Sequence, residues 1–274
     1  MTPKLFAFDL DGTLLNSEKK LSPKNNSALE EMIDNQAIVA FASGRLGSSM
    51  QQYICSKFDL PMLTLNGAAV YMGKKHDCKL IYNAPLSAEF ADYLINYSDG
   101  KNFGLNYYID DKLFTVRSAA TAVWQKLYVD QTSTVYHYLS SFDQFQGRMP
   151  SKVLFVGAPD EIDRQEEYFR NLWGDTVYIC RTWDHYLEFL NPAANKGIGL
   201  EVLADAYGVE MKDVAAFGDA LNDIPMLQAA GMGIAVSNAL PEVKNAASKV
   251  SIWSNDEDVV AMEWEEMRRK EGSA

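Results

Sequence analysis

Two carboxylates, Asp9 and Asp11, close an apolar run near the start of this 274-residue chain, in Lys4-Leu5-Phe6-Ala7-Phe8-Asp9-Leu10-Asp11-Gly12-Thr13. Acids crowded at one edge must be neutralised, and a hard cation with oxygen ligands is the readiest partner. For Asp-x-Asp alone a solvated acidic turn is an equal reading. The whole pentapeptide Asp-x-Asp-Gly-Thr, however, arises by chance in roughly one chain of this length in a few hundred, which favours chemistry. A calcium loop beginning at Asp9 would need glycine at its sixth position and glutamate at its twelfth. The chain has Leu14 and Lys20 there, so that reading fails.

The elements that must carry these residues follow from periodicity. Leu5 to Phe8 reads as a strand covered on both faces, with Gly12 as a sharp exit. Two residues apart on a strand end, Asp9 and Asp11 would point to the same side. Ser22-Pro23 opens a helix whose stripe is Ala28, Leu29, Met32 and Ile33. Ile38 to Ala42 is a second strand, tipped by Ser43-Gly44-Arg45, and Met50, Tyr53, Ile54 and Phe58 recur behind it at helical spacing. Pro61 to Leu65 is a third strand, closing on Asn66-Gly67. Later, a helix from Lys196 to Tyr207 leads to a strand, Val214 to Phe217, tipped by Gly218-Asp219 and Asn222-Asp223. A short strand from Gly233 to Val236 and a helix after Asn238 follow, and the charged tail has one apolar face, Val259, Val260, Trp264 and Met267. Strands alternating with helices predict an α/β fold, a doubly wound parallel sheet whose polar tips share one ligand site.

From about Tyr82 the pattern changes. Phe103 to Ile109 and Leu113 to Val116 predict a hairpin, Val153 to Val156, Val177 to Cys180 and Tyr186 to Leu190 predict strands, and Ile162, Gln165, Phe169 and Leu172 predict a helix face. An inserted α+β domain over 82–190 is expected, within a discontinuous domain of 1–81 and 191–274.

With 25 basic against 37 acidic residues, net −12, nucleic acid and anionic membranes are poor partners. Any positive potential for an anionic substrate must be local. Cys55, Cys78 and Cys180 are odd in number and lack metal-ligand spacing, so they read as packing residues in a reducing compartment. His76, His137 and His185 show no ligand spacing either. No segment approaches the ~20 apolar residues of a membrane span. A soluble cytoplasmic protein is the expectation.

Taken in order, the tips Asp9-Leu10-Asp11-Gly12-Thr13, Ser43-Gly44-Arg45, Lys196 and Gly218-Asp219 through Asn222-Asp223 resemble the four motifs of the haloacid dehalogenase superfamily. The large insert between the second and third resembles the class IIB cap of the Cof-type subfamily. The resemblance implies a phosphatase in which Asp9 is the nucleophile and Asp11 the general acid/base. It implies Mg2+ held by the Asp9 and Asp219 carboxylates and the Asp11 carbonyl, with Asp223 behind them. It also implies phosphate or substrate contacts by Leu10, Ser43, Gly44, Arg45, Lys196 and Asn222. Arg45 could instead pair with a carboxylate, Asn66-Gly67 resembles a Cof-type loop that faces the site but reads equally as a plain tight turn, and His185 could touch substrate but reads more readily as a surface hairpin residue.

A small phosphorylated metabolite, in the first place a sugar phosphate, is the expected substrate. A phosphohexomutase with the same motifs and a non-catalytic binding protein on the same scaffold are the alternatives. Dehalogenases are disfavoured because Asp11 is present, and transport ATPases because no membrane span is seen.

Overall fold

The computed structural model describes residues 2–50, 60–73, 78–132, 134–174 and 176–272. In chain order the elements are β1 (Leu5–Asp9), α1 (Pro23–Asp34), β2 (Ile38–Ala42), α2 (Gly47–Met50), β3 (Met62–Thr64), β4 (Ala69–Met72) and β5 (Lys79–Asn83). Next come α3 (Ala88–Ser98), β6 (Gly104–Ile109), β7 (Lys112–Val116), α4 (Ala122–Thr132), β8 (Tyr136–Leu139), β9 (Lys152–Val156), α5 (Pro159–Trp173), β10 (Tyr178–Trp183) and β11 (Tyr186–Leu190). The chain ends with α6 (Lys196–Ala206), β12 (Val214–Gly218), α7 (Ile224–Ala229), β13 (Met232–Ala235), α8 (Pro241–Ala246), β14 (Lys249–Val250) and α9 (Val259–Gly272). The stripe residues Tyr53, Ile54 and Phe58, together with Cys55 and His76, lie outside the described residues.

The chain divides into two compact units, one of 1–44, 50–82 and 195–274, the other of 45–49 and 83–194. In the first, the sheet runs β14-β13-β12-β1-β2-β3-β4-β5. From β14 to β3 the pairs are parallel, and β3 with β4 is antiparallel. Every residue of β1 is buried, as a strand covered on both faces requires, and Phe8 packs on Phe217 with ring centroids 4.9 Å apart. Register decides where the polar tips fall: Phe8 is level with Phe217 on one side, and Asp9 with Ala42 on the other. Asp9, Ser43 and Asp219 therefore emerge from three adjacent strands at the same C-terminal edge, where open α/β sheets bind ligands.

Local chemistry sets the helix starts. The Ser22 hydroxyl accepts the Asn25 N–H at 3.1 Å, and Pro23 follows at the first helical position. Asn195 caps α6, its side-chain oxygen accepting the Ile198 N–H at 2.9 Å. No helix of the described residues is long and apolar enough to cross a membrane.

The second unit is a six-stranded sheet, β10-β11-β9-β6-β7-β8. Phe90 of α3 and Phe169 of α5 interlock with Phe155 and Phe189 of the sheet to form its core. The β6–β7 turn places both Asp110 and Asp111 at positive φ, a conformation aspartate tolerates in two-residue hairpin turns. Leu172, expected on the buried face of α5, is exposed, and Cys78 is exposed where packing was expected.

Candidate active site

β1 ends at Asp9, and Asp11 lies beyond it in a tight turn, where it bridges to Leu15. Asp9 is buried whereas Asp11 is exposed. The turn closes through Leu14 N–H to the Asp9 carbonyl at 3.2 Å and Leu15 N–H to the Leu10 carbonyl at 2.9 Å. Gly12 sits at φ +84°, where a Cβ would fall 2.5 Å from Asp219 Oδ2. Both the backbone and the space therefore demand glycine.

Lys196, the first residue of α6, turns its side chain inward and is wholly buried. Its ammonium donates to Asp9 Oδ1 and to Asp223 Oδ1, each at 2.5 Å. The other oxygen of Asp223 accepts the N–H groups of Asp219 and Ala220, both at 3.0 Å, which folds the loop after β12 back on itself. The hydroxyl of Thr13 donates to Asp219 Oδ1 at 2.8 Å and ties the first polar tip to the last. The Asp9, Asp219 and Asp223 carboxylates each offer an oxygen, all within 4.8 Å of one another.

The electrostatics are unbalanced. Burial pushes the Asp9 carboxyl well above the usual range, with the Lys196 ammonium acting against it. Asp219 is pushed up to about 6, chiefly by burial, although the Thr13 hydrogen bond opposes the rise. Burial alone would lower the Lys196 pKa, but the Asp223 and Asp9 carboxylates outweigh it and hold the ammonium charged. Three carboxylates against one ammonium leave an excess of negative charge in a low-dielectric pocket. A hard divalent cation fits both that excess and the all-oxygen donor set.

One tip that the sequence leaves open, Asn66-Gly67, meets two others here. Asn66, at φ 60°, is buried; its N–H donates to the Ser43 carbonyl at 3.0 Å and its Oδ1 accepts the Asn222 amide at 2.9 Å. It is therefore more than a tight turn, since it joins the tips after β2, β3 and β12. A Cβ on Gly44 would lie 2.9 Å from that same Oδ1, and one on Gly67 would lie 2.3 Å from the Asn195 carbonyl at the start of α6. The Ser43 N–H is committed to the Leu63 carbonyl at 2.9 Å. Leu10 is fully buried and belongs to the turn.

Arg45 and His185 belong to the second unit. The Arg45 guanidinium donates to the Thr132 carbonyl at 2.9 Å. His185 stacks on Trp124 at 4.6 Å between ring centroids, with Nδ1 3.3 Å from the Gly157 carbonyl. Sequence reasoning missed Asn238, whose amide donates to the Gly12 carbonyl at 2.8 Å. The signal was present, since Ser237-Asn238 follows an apolar strand as the other polar tips do.

The haloacid dehalogenase-like hydrolase family model matches residues 6–263. The chain is 28% identical to a 5-amino-6-(5-phospho-D-ribitylamino)uracil phosphatase of Bacillus subtilis, covering 94% of this chain and 96% of that protein. It is also 28% identical to an HMP-PP phosphatase of Escherichia coli, covering 88% and 86%. A solved structure from Thermotoga maritima aligns with a TM-score of 0.87 at 28% identity over 97% of each chain. A haloacid dehalogenase-like hydrolase from Bacteroides thetaiotaomicron aligns with a TM-score of 0.86 at 25% identity, over 97% of this chain and 100% of that one.

Proposed function

The chain belongs to the haloacid dehalogenase-like hydrolases, and from that premise we propose that it is a magnesium-dependent phosphatase of small phosphorylated metabolites, sugar phosphates foremost. The observation that carries this reading is the buried Lys196 ammonium between Asp9 and Asp223, with the Asp219 carboxylate beside them. The two named relatives act, by their names, on phosphorylated small molecules.

In the proposed chemistry an Asp9 carboxylate oxygen bonds to phosphorus as the bond to the leaving alcohol breaks, and Asp11 gives that alcohol its proton. Asp11 then takes a proton from water, whose oxygen attacks the phosphorus and frees Asp9 as phosphate departs. Lys196, the Ser43 hydroxyl, Gly44 and Asn222 hold the phosphoryl oxygens, where charge grows in the transition state. Asp9, Asp219 and the Asp11 carbonyl would hold Mg2+, which supplies charge neutralisation at those oxygens. Both oxygens of Asp223 are engaged by Lys196 and by backbone N–H groups, so it positions rather than ligates. Residues 82–190 are assigned the choice of leaving group, and the cytoplasm is the expected compartment.

Purified protein, stripped with a chelator and then given a panel of phosphorylated metabolites, tests this. With Mg2+ restored, phosphate and free alcohol should appear in equal amounts, and without it the rate should fall by at least about a hundredfold. Phosphate release from no member of the panel would overturn the reading. So would conversion to an isomeric phosphate without release, which is mutase behaviour.

A further inference from the structure

The turn from Leu10 to Leu15 has an unusual division of its polar groups. Its N–H groups at Thr13 and Leu15 point inward to the Leu10 carbonyl, at 3.4 and 2.9 Å, and that at Leu14 to the Asp9 carbonyl at 3.2 Å. Three of its remaining carbonyls are taken up by asparagine amides from outside the turn, two of them more than 200 positions away. Asn238 donates to Gly12 at 2.8 Å, Asn25 to Leu14 at 3.2 Å and Asn255 to Leu15 at 3.0 Å. Two of these amides are themselves oriented by the C-terminal segment: Asn238 Oδ1 accepts the Asn255 N–H, and Asn25 Oδ1 the Ala261 N–H, both at 3.0 Å. Asp256 extends the connection by accepting the Ser17 N–H at 2.8 Å and its hydroxyl at 2.6 Å.

Asn25 and Asn255 are buried, so their amides are needed simply to satisfy buried carbonyls. Asn238 is different because it is exposed, and water could replace its amide on the Gly12 carbonyl at little cost to folding. The Gly12 carbonyl belongs to the Gly12–Thr13 peptide, one residue beyond Asp11, which is also exposed. Backbone geometry at this turn sets the direction in which the Asp11 side chain leaves the chain.

We propose that Asn238 is a positioning residue for Asp11, and that with Asn25 and Asn255 it makes the 255–261 segment a brace for the catalytic turn. The proposal rests on the phosphatase reading, in which Asp11 is the proton donor. A misplaced donor has a specific signature. An alkyl phosphate has a basic leaving group that needs the proton, whereas p-nitrophenyl phosphate has one that leaves without it.

The test compares kcat/KM of wild type, Asn238→Ala and Asn238→Asp on the best alkyl phosphate of the panel and on p-nitrophenyl phosphate, with thermal midpoints measured alongside. Asn238→Asp keeps the acceptor for the Asn255 N–H but sets a carboxylate oxygen against the Gly12 carbonyl. Both variants should lose roughly tenfold to a hundredfold on the alkyl phosphate and less than about threefold on p-nitrophenyl phosphate. Their thermal midpoints should stay near that of wild type. Equal losses on the two substrates, or none on the alkyl phosphate, would overturn the assignment while leaving the phosphatase reading intact. A wild-type protein inactive on both substrates would take down that reading, and this assignment with it.

Discussion

Lys196→Met should remove both the activity and a large share of the stability. The ammonium is wholly buried between Asp9 and Asp223, and methionine fills a similar volume without the charge. Two carboxylates would then face each other in a dry pocket, and breaking a buried pair from one side typically costs about 3–5 kcal/mol, a large part of the roughly 5–15 kcal/mol that holds a domain folded. The pH dependence carries a definite sign. Burial already raises the Asp9 carboxyl, and without Lys196 it rises further. A carboxyl whose folded pKa exceeds its unfolded value contributes stability below the unfolded pKa and loses it as pH climbs through the folded one. The deficit of the variant against wild type should therefore narrow as pH is lowered. Urea unfolding in the presence of a chelator reads this directly. A deficit below about 1 kcal/mol at neutral pH would mean that the charge is not buried as described.

Asp9→Asn should be the most damaging substitution for turnover, with little change in fold. The asparagine is nearly isosteric and can still meet Lys196 through its oxygen, but it neither attacks phosphorus nor brings a charge to a cation. A fall on the order of a thousandfold or more is expected, as for other removed nucleophiles. Steady-state rates at saturating Mg2+ with the wild-type substrate check it. Residual turnover above about a tenth of wild type would exclude a covalent role for Asp9.

How much of this site was legible beforehand varies with the range of the interaction. The strand Leu5–Asp9, the Ser22-Pro23 helix start and the polar tips are local patterns, and each element forms where its residues indicated. Lys196 was not legible as a buried charge, because a lysine at a helix start ordinarily lies at the surface. Its burial depends on Asp9, 187 positions away. Asn66-Gly67 reads equally as a plain turn, and only its amide contact with Asn222, 156 positions distant, distinguishes it. Strand pleating was carried two residues past the end of β1, to Asp11, although the chain already turns there and Gly12 bends it at positive φ. The β4 and β8 strands are four residues each and β14 only two, too short for alternation to register, and β5 is largely exposed.

The measurement that bears most directly on the covalent mechanism is mass spectrometry of the Asp11→Asn variant after brief mixing with Mg2+ and p-nitrophenyl phosphate. Its leaving group needs no proton, so Asp9 should still be phosphorylated, while breakdown lacks the base that activates water. The account predicts that one phosphoryl group accumulates on the peptide containing Asp9 and disappears when Asp9 is also replaced by asparagine. Steady hydrolysis with no phosphorylated species, or a phosphoryl group found on another residue, would contradict it.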